Sequence, residues 1–187
     1  NGVYGLTKGQ YSATADKGSK KKKGVANETQ PIDMCAMAIN LGCSFVARSF
    51  SGAKKQLASL IRAAMSHKGF ALIDVISPCV TFNNNDESMR SYGYVKENDI
   101  ELHTLGYIPH FNPVEEVDVP AGHYRDITLH DGSTIRLETI SEEHDPSDTM
   151  AALTALHKAE VAADHVTGLL YFDGSRPALH EDLEMVD

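Results

Sequence analysis

Asn1-Gly2-Val3-Tyr4-Gly5-Leu6-Thr7-Lys8-Gly9-Gln10 packs three glycines, a polar amide and a hydroxyl around a short apolar stretch. Glycines at that density let backbone amides approach a charged group closely. Oxygens of the Asn1 and Thr7 kind suit a hard cation such as Mg²⁺. The composition fits a loop that holds phosphate and metal, and equally an ordinary glycine-rich turn. Cys79 is the other residue that could do chemistry. A lone thiol behind an apolar strand is usually a small buried hydrophobe, and becomes a ligand only in the right company. The three cysteines, Cys35, Cys43 and Cys79, are odd in number and lack CxxC spacing, which argues against a disulfide framework and for a reducing cytoplasm. None of the nine histidines makes a zinc-spaced pair with a nearby carboxylate. Glu142-Glu143-His144-Asp145 reads as a solvated flank to the following helix, with Asp145 or Ser147 as its cap.

The elements that position these residues alternate. Residues 1–4 read as the end of a buried strand, and Gly5–Thr14 as a turn that starts a short helix. Pro31 suits the first turn of a helix whose apolar face is Ile32, Cys35, Ala36, Ile39 and Leu41, with a stop at Gly42. Cys35 and Cys43 are assigned to packing around it. Residues 45–50 form a strand, and Ser51 caps a helix with Leu57, Leu60, Ile61 and Ala64 at helical spacing. Residues 70–76 are a near-continuous apolar run, as in a parallel strand buried on both faces. Helix, strand, helix, strand is an α/β pattern. Functional loops then belong at the carboxyl ends of the strands, which places Gly5–Gln10 and Ser77–Phe82 on one edge of the sheet.

Beyond residue 86 the character changes. A helix is predicted over 87–98 and irregular chain over 99–121. A hairpin follows, 123–130 and 133–140 around Asp131-Gly132. A helix over 147–163 turns Met150, Leu153, Leu156 and Val161 inward, and residues 168–172 form a last strand. Residues 1–86 are one domain on this reading, and 87–187 a C-terminal extension that docks a partner subunit.

Net charge is −9, split unevenly: residues 1–70 carry +8 and residues 71–187 carry −17. The acidic part does not suit nucleic acid. Lys20–Lys23 lacks interleaved aromatics and reads as a solvated loop, or one that closes over an anionic ligand. No apolar run approaches the roughly 20 residues that a membrane span needs.

The wording of the opening segment is more specific than its composition. Asn-x-x-Tyr-Gly-Leu-Thr-Lys-Gly-Gln-x-Ser-x-Thr resembles the second half of the thiamine-diphosphate motif in beta subunits of 2-oxoacid:ferredoxin oxidoreductases. Residues 45–52, His67-Lys68-Gly69-Phe70-Ala71, Ser77–Asn83, Thr167–Tyr171 and Leu179-His180 extend the resemblance. Ala13 stands where the family usually has Pro. The Gly-Asp-Gly that opens the motif is missing, so the chain is expected to be the C-terminal part of a longer subunit, inactive alone.

The resemblance implies the C-terminal part of a thiamine-diphosphate-binding α/β fold, a mainly parallel sheet flanked by helices, with a hairpin-helix-strand extension. It implies that Asn1 and the Val3 carbonyl hold Mg²⁺, and that Tyr4, Gly5, Leu6 and Thr7 line the cofactor. Leu6, Thr7 and Lys8 then face the substrate, with Lys8 suited to a second carboxylate, as in 2-oxoglutarate. In Ser77-Pro78-Cys79-Val80-Thr81-Phe82-Asn83, Cys79 becomes the last thiolate of a 4Fe–4S cluster. The implied activity is coenzyme-A-dependent oxidative decarboxylation of 2-oxoglutarate or pyruvate, with an alpha subunit and ferredoxin as partners. A thiamine enzyme without redox partners and a non-catalytic assembly module are the alternatives.

Overall fold

The computed structural model describes residues 1–3, 10–19, 25–111, 124–139 and 144–184. Its elements are α1 (Met34–Asn40), β1 (Phe45–Phe50), α2 (Lys54–Met65), β2 (Ala71–Ile76), α3 (Tyr92–Asn98), β3 (Asp99–Glu101), β4 (His103–Ile108), β5 (Tyr124–Thr128), β6 (Thr134–Thr139), α4 (Thr149–Ala162), β7 (His165–Phe172) and α5 (Leu179–Asp182). Among the described residues, four strands form a sheet in the order β2-β1-β7-β3, and three form a second sheet, β4-β6-β5. In the first sheet β1 runs parallel to β2 and β3 parallel to β7, while β1 and β7 are antiparallel. The architecture is α/β with mixed strand directions.

β1 is buried on both faces. Val46 joins Cys35, Ala38, Ile39, Leu156 and Ala159 on one side of the sheet. Phe45 and Ala47 join Leu60, Ala63, Ile135 and Leu137 on the other. β2 differs from its sequence reading. Among the described residues it has a strand neighbour on one side only, its residues 71–74 are half-buried, and Phe70 before it is 67% exposed. A near-continuous apolar run thus lies at the edge of the described sheet, because hydropathy does not report how many neighbours a strand has.

Several local expectations shift for identifiable reasons. Residues 1–3 are not a strand, and of residues 10–14 only 13 and 14 form a turn, with no helix. The first helix starts at Met34, because Asp33 caps it by accepting from the Ala36 amide at 2.9 Å. Ile32 and Leu41 are accordingly outside its buried face. Ser51 does not cap α2, since Ala53 holds that position without a side-chain bond. α2 buries Gln56, Leu60 and Ala63, and leaves Ile61 45% exposed. α3 begins at Tyr92 behind the cap Ser91. Residues 99–108, expected to be irregular, supply two strands. β4 shows the half-buried alternation of an antiparallel strand, with His103 and Leu105 inward and Thr104 and Gly106 outward.

The hairpin is where the sequence places it, with a three-residue loop and Gly132 at φ 82°, the left-handed position such loops reserve for glycine. α4 is capped by Asp148, whose carboxylate accepts from the Met150 and Ala151 amides. Asp145 instead binds Ser147 and Arg125. The inward face of α4 is Ala152, Leu156 and Ala159, while Met150 and Val161 are mostly exposed. Small residues let the helix lie close on the sheet. β7 threads between β1 and β3, so the stretch beyond residue 86 contributes two strands, β3 and β7, to the first sheet.

His144 is not part of a solvated flank. It is 7% exposed and packs edge-on against His103, with ring centroids 5.3 Å apart. Among the described residues no hydrogen bond reaches either ring's nitrogens. Burial pushes His103 down to about 4, and the charges of His144 and Arg125 act the same way. Burial also lowers His144, against Asp145 and Asp148. Asp99 is displaced oppositely, up to about 6, by burial and by Glu101, against a hydrogen bond from Thr167.

These shifts have opposing linkage. The unfolded chain protonates its histidines below about pH 6.5 while His103 stays neutral in the fold, so its contribution is full above 6.5 and is lost as pH falls toward 4. That loss is about 3 kcal/mol. Asp99 contributes fully below its unfolded pKa of about 4, and that contribution is lost as pH rises through 6. Between pH 4 and 6 the two compete. Urea denaturation across this range should show a steeper rise of stability with pH in Asp99→Asn than in the parent chain, and a shallower one in His103→Gln. Parallel profiles would refute both assignments.

Candidate functional site

β1 and β2 end side by side, joined beyond the last paired residues by the Ser51 amide, which donates to the Ile76 carbonyl at 2.9 Å. The chain then passes the buried Pro78 and turns at the half-buried Cys79. The turn is closed from within: the Phe82 and Asn83 amides both donate to the Cys79 carbonyl, at 3.1 and 2.7 Å. The side chain of Asn83 then reaches across 82 residues of sequence and donates to the Asn1 carbonyl at 2.8 Å. One side-chain bond thus fastens Asn1 to the cysteine turn, while residues 5–9 of the expected edge loop lie outside the described residues.

Asn1 and Val3 share one turn, in which the Val3 amide donates to Asn1 Oδ1 at 3.2 Å. Gly2 between them sits at φ 64°, and a Cβ there would touch Thr14, Ala15 and Arg90 at 3.4 Å. The left-handed backbone, more than the space, is what calls for glycine. Arg90 anchors the facing loop, donating to the Thr14 carbonyl at 2.7 Å and to both oxygens of Asp16 at 2.8–3.1 Å. Tyr4, Gly5, Leu6, Thr7 and Lys8 lie outside the described residues.

Beside Asn1 opens a cavity of about 550 Å³, within the range of small-molecule sites. Asp16, Asp33, Arg48, Asp74, Arg90 and His165 are among its walls. Arg48 and Asp74 face each other in the parallel register of β1 and β2. Arg48 Nε donates to Asp74 at 2.9 Å, and its Nη2 donates to both oxygens of Asp33 at 2.8–2.9 Å. Both guanidiniums are therefore engaged by carboxylates. A diphosphate bound here needs a cation of its own.

The donors present fit such a cation in kind. Asn1 offers an amide oxygen and Val3 a carbonyl, hard ligands on a single turn. Cys79 fits a cluster as one thiolate only, since no group of three or more metal-ligating side chains occurs among the described residues. Cys35 and Cys43 are packing residues. Cys35 is fully buried and pushed up to about 12 by that burial. The Cys43 thiol donates to the Phe70 carbonyl at 3.1 Å.

Sequence reasoning gave no role to Arg48, Asp74 or Asn83. The first two carried a signal. Each is the one charged residue in a six-residue strand, at the fourth position of both, so parallel pairing in register had to bring them together. Asn83 offered no comparable sign. Among the described residues no helix is long and apolar enough to cross a membrane.

Residues 1–75 match the C-terminal TPP-binding domain of thiamine pyrophosphate enzymes. A 2-oxoacid:ferredoxin oxidoreductase subunit beta from Sulfolobus sp. is 41% identical over 115 residues, which is 61% of this chain and 35% of that protein. The corresponding subunit of Saccharolobus solfataricus is 47% identical over 85 residues, 45% of this chain and 28% of that protein. The chain thus spans about a third of the length of these curated relatives. Among solved structures, a 2-oxoglutarate:ferredoxin oxidoreductase from Magnetococcus marinus, with 2-oxoglutarate, coenzyme A and succinyl-CoA bound, matches with a TM-score of 0.67 and 27% identity, over 99% of this chain and 48% of that one. The chain is thus similar to beta subunits of 2-oxoacid:ferredoxin oxidoreductases over part of its sequence, and to a 2-oxoglutarate:ferredoxin oxidoreductase over nearly its whole length in three dimensions.

Proposed function

We propose that this chain is the part of such a beta subunit that completes a thiamine diphosphate site and offers one ligand to a neighbouring 4Fe–4S cluster. The observation that carries the reading is the Asn83–Asn1 hydrogen bond, which sets the Cys79 turn against the segment matched to the thiamine-binding domain. Bound thiamine diphosphate supplies the electron sink for decarboxylation of a 2-oxoacid. The Asn1 side chain and the Val3 carbonyl hold Mg²⁺ against the diphosphate, and Tyr4, Gly5, Leu6 and Thr7 line the cofactor. Cys79 gives its thiolate to the cluster, and the remaining ligands of both groups come from outside this sequence. The acyl group passes to coenzyme A and the electrons to ferredoxin. An alpha subunit completes the site, and the exposed Met150 and Val161 on α4 are apolar contacts on which it could dock.

The test is reduction of a redox dye by the complete complex, which should require thiamine diphosphate, coenzyme A and either 2-oxoglutarate or pyruvate. Turnover independent of coenzyme A would overturn the reading. Lys8 supplies the finer prediction. A cation near the reacting carbon pairs with the distal carboxylate that 2-oxoglutarate has and pyruvate lacks. Lys8→Gly should raise KM for 2-oxoglutarate about tenfold, as expected for losing a charge-assisted bond, and change KM for pyruvate little. Equal changes would remove Lys8 from substrate selection.

A further inference from the structure

We infer that Asn83 is a positioning residue that couples the two cofactor sites, setting the metal-binding turn and the cysteine turn in one fixed relation. The inference rests on the proposed roles of Asn1, Val3 and Cys79.

The chain of contacts is short and has no slack. The Cys79 carbonyl accepts the Asn83 amide at 2.7 Å, so Asn83 is bound to the backbone of the cysteine itself. The Asn83 side chain donates to the Asn1 carbonyl at 2.8 Å. Asn1 Oδ1 in turn receives the Val3 amide at 3.2 Å. Four consecutive groups therefore run from the thiol-bearing residue to both metal donors. In sequence the two segments are far apart, with α1, β1, α2 and β2 between them.

The far side of Asn83 is fixed as well. Its Oδ1 accepts the Ser88 hydroxyl, and its own carbonyl accepts the same hydroxyl at 3.2 Å. Ser88 is buried and its amide donates to the Asn85 carbonyl at 2.9 Å. With its oxygen committed to Ser88, the amide group has its orientation set, and Nδ2 must face Asn1. Only an amide can do this, because one end has to accept while the other donates.

The neighbouring asparagines show the contrast. Asn84 Oδ1 accepts from the Tyr92 amide and Asn85 Oδ1 from the Glu87 amide, so both bonds stay within the segment that follows the cysteine turn. Neither reaches the opening segment through these bonds.

The experiment compares Asn83→Asp, Asn83→Gln, Ser88→Ala and Asn85→Ala in the complete complex. The aspartate is the decisive variant. It keeps the acceptor for Ser88 and replaces the donor to Asn1 by a second acceptor. Two readouts besides activity are taken: the affinity for thiamine diphosphate with Mg²⁺ by calorimetry, and the electron paramagnetic resonance spectrum of the reduced cluster. Asn83→Asp should weaken cofactor binding about tenfold, the upper range for one lost hydrogen bond, and alter the cluster spectrum as well. Asn83→Gln should recover part of both, and Asn85→Ala should change neither.

An aspartate variant that matches the parent in either readout would overturn the coupling. So would a Ser88→Ala variant that reproduces both aspartate effects in full, since the fold around Ser88 would then explain them. Failure of the underlying reading is separately visible: Asn1→Ala would leave cofactor affinity unchanged, or Cys79→Ala would leave the cluster spectrum intact.

Discussion

Replacing Cys79 by alanine in the complete complex should remove the reduced-cluster signal and cut thiamine-dependent dye reduction by about two orders of magnitude or more, since a cluster held by four thiolates loses one of them. The same substitution at Cys35 or Cys43 should leave both signals in place. The difference between these thiols is structural. Cys79 sits half-buried on a turn beyond the end of β2, with its backbone fixed by the Phe82 and Asn83 amides. Cys35 is sealed against β1 and burial pushes it to about 12, so a thiolate there is costly. The Cys43 thiol is turned into backbone carbonyls of Phe45 and Phe70. Iron content and paramagnetic resonance of the three variants make the check. A full cluster in Cys79→Ala would remove this residue from the site.

The second large effect is on the fold. Arg48→Met should destabilise the chain by about 3 kcal/mol, the lower range for breaking a buried ion pair, because one cation is removed from between two carboxylates. The Arg48 side chain is 11% exposed, while those of Asp33 and Asp74 are 34% and 30% exposed. Their partial access to water lets them recover some solvation, which holds the loss to the lower range. The residue does more than balance charge. Asp33 also caps α1, so its carboxylate ties helix, β1 and β2 into one unit beside Asn1. Arg48→Lys should recover less than half of the loss, since a single ammonium cannot reproduce the planar fork. Urea midpoints of the three proteins decide it. An unchanged midpoint for Arg48→Met would show that the network contributes nothing net.

What was legible in the sequence had a local or periodic cause. Residues 45–50 and 71–76 are strands because β-branched and aromatic residues cluster between turn signals. Asp131-Gly132 forms its hairpin because glycine alone takes the left-handed position without strain. The opening decapeptide and Ser77–Asn83 carried their family resemblance as wording, and comparison bears out the relationship to beta subunits of 2-oxoacid:ferredoxin oxidoreductases. Helix caps were less legible. Ser51, Asp145 and Ser147 are as good in composition as Asp33 and Asp148, and only the backbone path selects between them.

The sequence by itself determined the resemblance to these beta subunits, the strands β1 and β2, and the loop that carries Cys79. Tertiary structure alone decided that among the described strands β2 lies at the edge and β1 inside, that β7 returns from the far end of the chain to lie beside β1, and that His103 and His144 share a buried contact. It also decided that Asn83 closes on Asn1 and that Asp33 joins Arg48 and Asp74. The reason is physical. Turns, strands and caps are selected by interactions among residues a few positions apart, which a sequence displays directly. Pairings across 15, 26 or 82 residues exist only once the sheet has set the distance between them.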